Sequence, residues 1–261
     1  MSEIIKQRKG SILQLTLNRP ERRNALNNTL MEGLTDAILE ASGDPELRAI
    51  VLTGAGEKAF CAGGDLKAAD SGKGSPFGSD PSRLENPLVA LYRAVEQCNL
   101  PIVGRINGHA LGGGLGLVCI CDVAVATEDA KLGTPEAKVG LFPMMILSYL
   151  VRLVPRRKLM EMSLTGAPLS AAEALDYGLL NYVVSRDQLD AKVDELVEQI
   201  VANSPTAIRL GKMAFRSLWD MSLTEAFEYT QLMIERIGQT EDAREGLSAF
   251  VEKRTPEWTG K

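Results

Sequence analysis

Short apolar runs alternate with segments of helical periodicity along the first half of the chain, and this alternation limits the possible folds most. In Ile12 to Leu17 every second residue is leucine, which is the pattern of a half-buried strand. Asn24 to Glu40 follows, with apolar residues at helical spacing. Further apolar runs that predict strands are Ala49 to Thr53, Pro101 to Ile106 and Val123 to Ala126. Repeated strand–helix units of this kind predict an α/β domain with a largely parallel sheet.

From Met144 onward the chain carries helix signals instead. Ser170 with Glu173, and Ser222 with Glu225, have the spacing of capping boxes, in which each side chain accepts a hydrogen bond from the other residue's backbone. The helices predicted here run over Arg186 to Ala202, from Ser222 to about Ile237, and over Asp242 to Lys253. We therefore expect the C-terminal part of the chain to be helical.

The composition of the 261 residues excludes several classes of protein. Lysine and arginine total 29, against 34 aspartates and glutamates, and no long basic run occurs, so we expect no nucleic-acid partner. The longest apolar stretches, such as Leu141 to Leu150, are too short to span a bilayer, so we expect no membrane partner. No signal-peptide pattern is visible near the N-terminus. These features predict a soluble, cytoplasmic protein.

The four cysteines and the single histidine do not form a metal or hydrolase motif. Cys119 and Cys121 are separated by one residue, but a zinc site needs about four nitrogen or sulfur ligands at characteristic spacings. His109 is not accompanied by the G-x-S-x-G turn of a serine hydrolase. We therefore expect no metal site, and chemistry performed by carboxylates and backbone dipoles.

Two glycine-rich segments each follow a predicted strand. KAFCAGGDLK spans Lys58 to Lys67, and INGHALGGGLGLVCICD spans Ile106 to Asp122. Glycine lets a ligand approach the backbone closely, and the N–H groups at the start of a helix favour negative charge. Neither segment contains G-x-G-x-x-G, and G-x-x-x-x-G-K-[ST] is absent, so nucleotide phosphate binding is not indicated. Tight packing could explain either segment alone, whereas together they predict two amide donors that converge on one oxygen, an oxyanion hole.

The order of these segments resembles the crotonase superfamily, the enoyl-CoA hydratases and isomerases. The resemblance begins at LNRPERRNAL, Leu17 to Leu26, and continues through the two glycine-rich segments to KLGTPEAKVGLFP and EGLSAFVEKRTPEW. It implies an α/β crotonase fold: a spiral core of stacked ββα turns over residues 1–200, then a helical region over residues 201–261 that serves trimerisation. It also implies an acyl-CoA thioester as substrate, no cofactor, and a homotrimer or a hexamer built from two trimers.

The resemblance also gives roles to particular residues. The N–H groups of Gly64 and Gly113 match the pair that points at the thioester carbonyl. Glu136, in the TPEAKVG turn, matches one of the two glutamates that perform the acid–base work of hydration. The positions implied to bind CoA or the acyl chain are Ala62, Asp65, Lys67, Gly116, Phe250 and Lys253, of which the last two often reach CoA from a neighbouring subunit.

Gly116 marks the largest departure from the family pattern. The other catalytic glutamate normally stands three residues after the middle glycine of the GGG run, and here that position is a glycine. Gly116 shares one face of the predicted helix with Gly113. We therefore expect its missing side chain to leave space beside the reacting carbons that water can fill.

Two other segments leave alternatives open. Met144, Met145 and Ile146 stand where many relatives have a glycine-rich stretch, and they either reshape the acyl pocket or pack in the core. Ala69 to Pro87 is crowded with glycine, serine, proline and aspartate, and it is either a plain surface loop or a flap over the site.

The function expected from these features is proton transfer on an enoyl-CoA thioester, with hydration of a 2-enoyl-CoA to a 3-hydroxyacyl-CoA as the leading reaction. A single carboxylate also suffices to move a double bond between positions 3 and 2, so a Δ3,Δ2-enoyl-CoA isomerase is an alternative. A non-catalytic acyl-CoA-binding protein is another, although such a protein would not need Glu136 opposite two aimed amides. RNA binding, known among relatives, has no basic patch to support it here.

Overall fold

The computed structural model describes residues 2–66 and 85–261, and it has the α/β architecture that the alternating pattern predicts. The strands in this part of the chain are β1 (Ile4–Lys9), β2 (Ile12–Leu17), β3 (Ala49–Gly54), β4 (Ala59–Cys61), β5 (Ile102–Ile106), β6 (His109–Leu111), β7 (Val123–Thr127), β8 (Lys131–Gly133), β9 (Leu169–Ser170) and β10 (Tyr182–Val184). The α-helices are α1 (Asn28–Gly43), α2 (Pro87–Gln97), α3 (Gly113–Cys119), α4 (Met144–Leu153), α5 (Arg156–Thr165), α6 (Ala171–Asp176), α7 (Leu189–Val201), α8 (Pro205–Leu218), α9 (Leu223–Gly238) and α10 (Glu241–Glu252).

From β3 to β8, successive strands alternate between two sheets. The larger sheet has the order β1-β2-β3-β5-β7-β10, and the smaller has the order β4-β6-β8-β9. All neighbouring pairs are parallel except β1 with β2 and β8 with β9. One strand from each sheet followed by a helix makes one turn, as in β5, β6 and α3, and the turns stack because like strands pair. The small sheet brings the ends of β4 and β6 together, which positions the site.

Two layers of buried side chains cover the larger sheet. Strand β3 is buried on both faces: Ile50 and Leu52 belong to the main core between the sheets and helices, while Val51 faces a second core under α7. In β2 the predicted alternation holds, with Leu15 and Leu17 fully buried. Burial of apolar side chains on this scale is the largest favourable contribution to the folding of such a domain.

The first helix begins later than its periodicity predicts, at Asn28 rather than Asn24. Asn24 has a left-handed backbone, with φ of 54°, and its side-chain amide donates hydrogen bonds to the carbonyl oxygens of Ala59 and Phe60. Asn27 is the N-cap, because its side chain accepts a hydrogen bond of 2.8 Å from the N–H of Leu30. The NRPERRNAL segment therefore serves to hold the start of the small sheet.

The helix signals of the C-terminal part are confirmed. Both capping boxes form, at Ser170 with Glu173 and at Ser222 with Glu225. The helix predicted from Arg186 starts instead at Leu189, after one 3-10 turn. None of the helices in the described ranges is both long and apolar enough to cross a bilayer. The division at residue 200 and the trimerisation role stay predictions.

Candidate active site

The two glycine-rich turns lie side by side at one edge of the small sheet. Strands β4 and β6 are parallel neighbours, so the turns that follow them leave the sheet at the same end. Gly63 and Gly112 both have positive φ, 91° and 54°, in which a β-carbon is strained. A β-carbon built on Gly63 would also lie 2.7 Å from the carbonyl oxygen of Leu111 and 3.5 Å from the nitrogen of Gly113. Only glycine permits backbones this close.

The hydrogen bonds of these turns leave one N–H free on each. The N–H of Leu26 donates to the carbonyl of Gly63 at 2.7 Å, and the N–H of Asp65 donates to the carbonyl of Leu26 at 2.9 Å. Gly64, between them, therefore directs its own N–H away from Leu26. Gly113 is the first residue of α3, where backbone N–H groups have no partner within the helix. Within residues 2–66 and 85–261, neither of these two N–H groups has an acceptor.

Both turns line a cavity of about 220 Å³. Its other walls are mostly apolar, and within the described residues Glu136 and Lys138 are its only ionisable side chains. The residues that line it include Ala62, Gly63, Gly64, Gly112, Gly113, Glu136, Met144, Met145 and Ile146. An apolar cleft with a few convergent polar groups is the usual form of a small-molecule site.

Glu136 reaches this cavity from a 3-10 helix, Pro135–Val139. Its Oε1 atom would lie 3.1 Å from a β-carbon built on Gly112. Its Oε2 atom is buried, and no described residue forms a hydrogen bond with it. Burial raises the pKa of the Glu136 carboxyl above its ordinary value, because the charged form loses solvation. The cavity thus combines two free amide donors with a carboxyl whose pKa is moved toward neutrality.

Comparison with known proteins identifies the family. Residues 7–261 match the family model described as enoyl-CoA hydratase/isomerase. The chain belongs to this family. It is 36% identical to carnitinyl-CoA dehydratase of Salmonella typhi over 97% of each chain, and 34% identical to probable mitochondrial enoyl-CoA hydratase of Dictyostelium discoideum over 98% of this chain and 90% of that protein. The crystal structure of enoyl-CoA hydratase from Bacillus anthracis superposes with a TM-score of 0.91, at 34% identity over 99% of this chain and 100% of that one.

The predicted crotonase fold is thereby confirmed, and the chain is an enzyme of the enoyl-CoA hydratase/isomerase family. Stacked turns from two sheets are the architecture in which the free N–H groups and Glu136 meet. The members named above carry two different reaction names, hydratase and dehydratase. Family membership therefore leaves the specific reaction to be argued from the site.

The positions predicted to bind CoA near the first glycine turn have different surroundings. Ala62 lines the cavity. Asp65 does not; it is buried, and its carboxylate accepts a hydrogen bond of 2.8 Å from the guanidinium of Arg19. Asp65 therefore holds the turn in place, and its predicted contact with substrate stays a prediction. Lys67 lies outside the described residues, as does most of the segment predicted to be a loop or flap, of which only 85–87 are described.

The expectation of open space beside Gly116 is wrong. A β-carbon built on Gly116 would overlap the hydroxyl oxygen of Tyr92 and lie 2.6 Å from Cγ2 of Ile146. Gly116 is buried and does not line the cavity. The glycine is needed because α2 and α4 each bring a side chain against α3 at this point. Tyr92 was missed from the sequence because its helical spacing marks it only as a residue on the apolar face of α2.

The bulky residues after Glu136 take the role of pocket residues. Met144, Met145 and Ile146 all line the cavity at the start of α4. Ile146 is buried, whereas Met144 is 67% exposed and so is not a core residue. The alternative of a reshaped acyl pocket therefore fits better than plain core packing.

Phe250 and Lys253 are exposed residues at the C-terminal end of α10. Phe250, on α10, is 82% exposed, and Lys253 is an exposed residue that ends this helix with φ of 55°. Neither lines the cavity. Contact with CoA from a neighbouring subunit stays a prediction for both.

The described residues hold no group of three or more histidine, cysteine, aspartate or glutamate side chains arranged to bind a metal ion. Cys61 and Cys98 are buried free thiols, and Cys119 and Cys121 are partly buried ones. The sequence prediction that no cofactor is needed has no test in this geometry and stays a prediction.

Proposed function

We propose that this enzyme hydrates a 2-enoyl-CoA to the corresponding 3-hydroxyacyl-CoA. The observation that carries the proposal is the position of Glu136, whose buried, unpartnered carboxyl oxygen shares one cavity with the free N–H groups of Gly64 and Gly113. The thioester carbonyl oxygen accepts hydrogen bonds from these two N–H groups. Donors fixed in advance stabilise the enolate oxygen as negative charge develops on it.

Glu136 then moves the protons. In the hydration direction its carboxylate takes a proton from water as the water oxygen bonds to C3, and the π electrons move onto the thioester oxygen. The protonated Glu136 returns the proton to C2 as the carbonyl re-forms. The raised pKa of Glu136 makes it a stronger base than an exposed glutamate, and therefore better matched to this exchange.

The Δ3,Δ2-enoyl-CoA isomerase remains the second candidate, and one observation favours it. Glu136 is the only carboxylate among the described residues that line the cavity, and the position of the other family glutamate is Gly116. One carboxylate can take a proton from one carbon and deliver it to another. The non-catalytic acyl-CoA-binding alternative is not proposed, because the chain belongs to a family of enzymes.

We propose a hydrocarbon acyl group for the substrate. Most of the side chains around the cavity are apolar, with Met144, Met145 and Ile146 on one wall. Lys138 is the only cation among the described lining residues, and it disfavours an acyl group that carries a positive charge. The coenzyme A thioester is the substrate in this proposal, and no separate cofactor takes part.

The decisive experiment is a panel of 2-enoyl-CoA and 3-enoyl-CoA substrates assayed in deuterated water. Hydration gives a 3-hydroxyacyl product with deuterium at C2, whereas isomerisation gives a 2-enoyl product without added oxygen. We expect hydration to be the faster reaction, with both reactions lost in Glu136→Gln. Turnover of none of the substrates would contradict the proposed reaction, and isomerisation alone would establish the second candidate.

We propose that the protein assembles as a homotrimer or as a hexamer of two trimers. Large apolar side chains stand exposed on the last three helices, among them Phe215, Phe227, Ile234, Leu247 and Phe250. Exposed apolar groups in this number are typical of an interaction surface. Native mass spectrometry measures the mass directly: three or six chains support the proposal, and a monomer contradicts it.

A cytoplasmic location is proposed as well. The four free thiols suit a reducing compartment. One relative is named as mitochondrial, so organelle import is the competing outcome. Fractionation of cells that produce the tagged protein distinguishes the two.

A further inference from the structure

The hydroxyl group of Tyr92 reaches the side of α3 next to the cavity. A β-carbon built on Gly116 would overlap this hydroxyl, and it would also lie 2.6 Å from Cγ2 of Ile146. Ile146 lines the cavity, whereas Tyr92 does not. The lack of a side chain at Gly116 is what admits the hydroxyl.

This hydroxyl has no hydrogen-bond partner among the described residues, although it is buried. Tyr92 is 8% exposed, and buried hydroxyls in native proteins nearly always have a partner. The neighbouring Tyr149 provides a contrast, since its ring meets that of Tyr92 edge-on at 5.0 Å and its hydroxyl donates to Glu96 at 2.9 Å. The Tyr149 hydroxyl therefore has a hydrogen-bond partner at the surface, whereas the Tyr92 hydroxyl has none among the described residues.

Two unpartnered oxygens therefore belong to the surroundings of one cavity, Tyr92 Oη and Glu136 Oε2. Their chemistry is complementary. Burial, together with nearby groups that include Glu136, raises the pKa of Tyr92, so the phenol keeps its proton and is a hydrogen-bond donor. Glu136 is an acceptor when ionised. A water molecule that is about to lose a proton fits this pair, because it can accept a hydrogen bond from the phenol of Tyr92 and donate one to the carboxylate of Glu136.

We propose that Tyr92 is a positioning residue for hydration: its O–H donates a hydrogen bond to the water that Glu136 deprotonates. The inference rests on the hydration proposed above. The water oxygen bonds to C3, its proton passes to Glu136, and Glu136 later gives a proton to C2, while Tyr92 keeps its own proton throughout. Because Ile146 lines the cavity at this point and Tyr92 does not, the contact requires Ile146 to adopt another staggered rotamer.

The test compares Tyr92→Phe with the matched control Tyr149→Phe, both in the full-length enzyme. Tyr92→Phe removes an unpartnered hydroxyl, so we expect it to fold with a Tm at least equal to that of the wild type. We expect its kcat for hydration of a short-chain 2-enoyl-CoA to fall about tenfold, as for loss of one hydrogen bond. Its KM and its rate of 3-enoyl-CoA isomerisation should change less than about twofold, because neither involves the water. Tyr149→Phe should keep all these rates.

The outcomes separate this inference from the function on which it rests. Unchanged hydration by Tyr92→Phe, or equal loss of hydration and isomerisation, overturns the positioning role and leaves Tyr92 as a core residue. A wild type that hydrates no substrate, or a fully active Glu136→Gln, overturns the proposed function, and the role of Tyr92 falls with it. Selective loss of hydration in a folded Tyr92→Phe supports both.

Discussion

Glu136 and Gly116 differ in how much the sequence reveals about their surroundings. Glu136 stands in the TPEAKVG motif, which is visible in the sequence, and its side chain lines the cavity. Gly116, by contrast, was expected to leave open space beside the reacting carbons, but Tyr92 and Ile146 fill that space. A motif positions groups on its own segment, whereas the space around a small residue is decided by whatever distant segments pack there.

Glu136→Gln removes the carboxylate that acts as the base in the proposed reaction. The amide cannot accept a proton, so we expect kcat to fall by about 10²–10⁴-fold with folding retained. Steady-state kinetics on the substrates that the wild type turns over measure the loss. Glu198→Gln, which changes an exposed glutamate on α7 in the same way, is the control and should be fully active. Near-wild-type rates in Glu136→Gln would show that another group moves the proton.

Gly64→Pro removes one of the two N–H donors, those of Gly64 and Gly113, that are proposed to bind the thioester oxygen. Proline has no N–H, and loss of one oxyanion donor typically costs about 10²–10³-fold in rate. Gly64→Ala keeps the N–H and is the matched control, with circular dichroism to confirm the fold of both. If Gly64→Pro folds and stays as active as Gly64→Ala, the thioester oxygen is not bound by this N–H.

Gly116→Ala tests how closely Tyr92 and Ile146 pack against α3 at this position. The added methyl meets the Tyr92 hydroxyl and Ile146, and overpacking of this kind costs about 1–3 kcal/mol of unfolding free energy. Urea denaturation measures it. The cost should be smaller in a Tyr92→Phe background, because the nearer of the two obstacles is gone while Ile146 remains. Equal costs in both backgrounds would mean that Tyr92 does not occupy the space at Gly116 in solution.

The pH dependence of the rate gives the smallest of these effects. Since burial raises the pKa of Glu136, the base is lost as the pH falls through a value above its ordinary 4.5. We expect the acid limb of kcat/KM to lie above pH 4.5, over a range in which circular dichroism shows the protein to be folded. A limb at or below 4.5 would mean that Glu136 is fully solvated in the free enzyme or is not the group that limits the rate.

Much of the fold could be predicted from the sequence, because its longer elements carry periodicity. The strand Ile12–Leu17 and both capping boxes are confirmed residue by residue. The small sheet was not predicted, since its strands have two or three residues, too few to show a period. The late start of α1 was missed because Asn24, read as helical, instead binds two carbonyls of a segment 35 residues further on.

By itself the sequence determined most of the longer elements, the glycine turns and the presence of one carboxylate, Glu136, because each depends on residues close together along the chain. Only the tertiary structure decided what surrounds them. The salt bridge between Asp65 and Arg19 is a contact between segments far apart in sequence, as is the Tyr92 hydroxyl beside Gly116. Side-chain space and hydrogen-bond partners of this kind are set by packing between segments, so local patterns cannot reveal them.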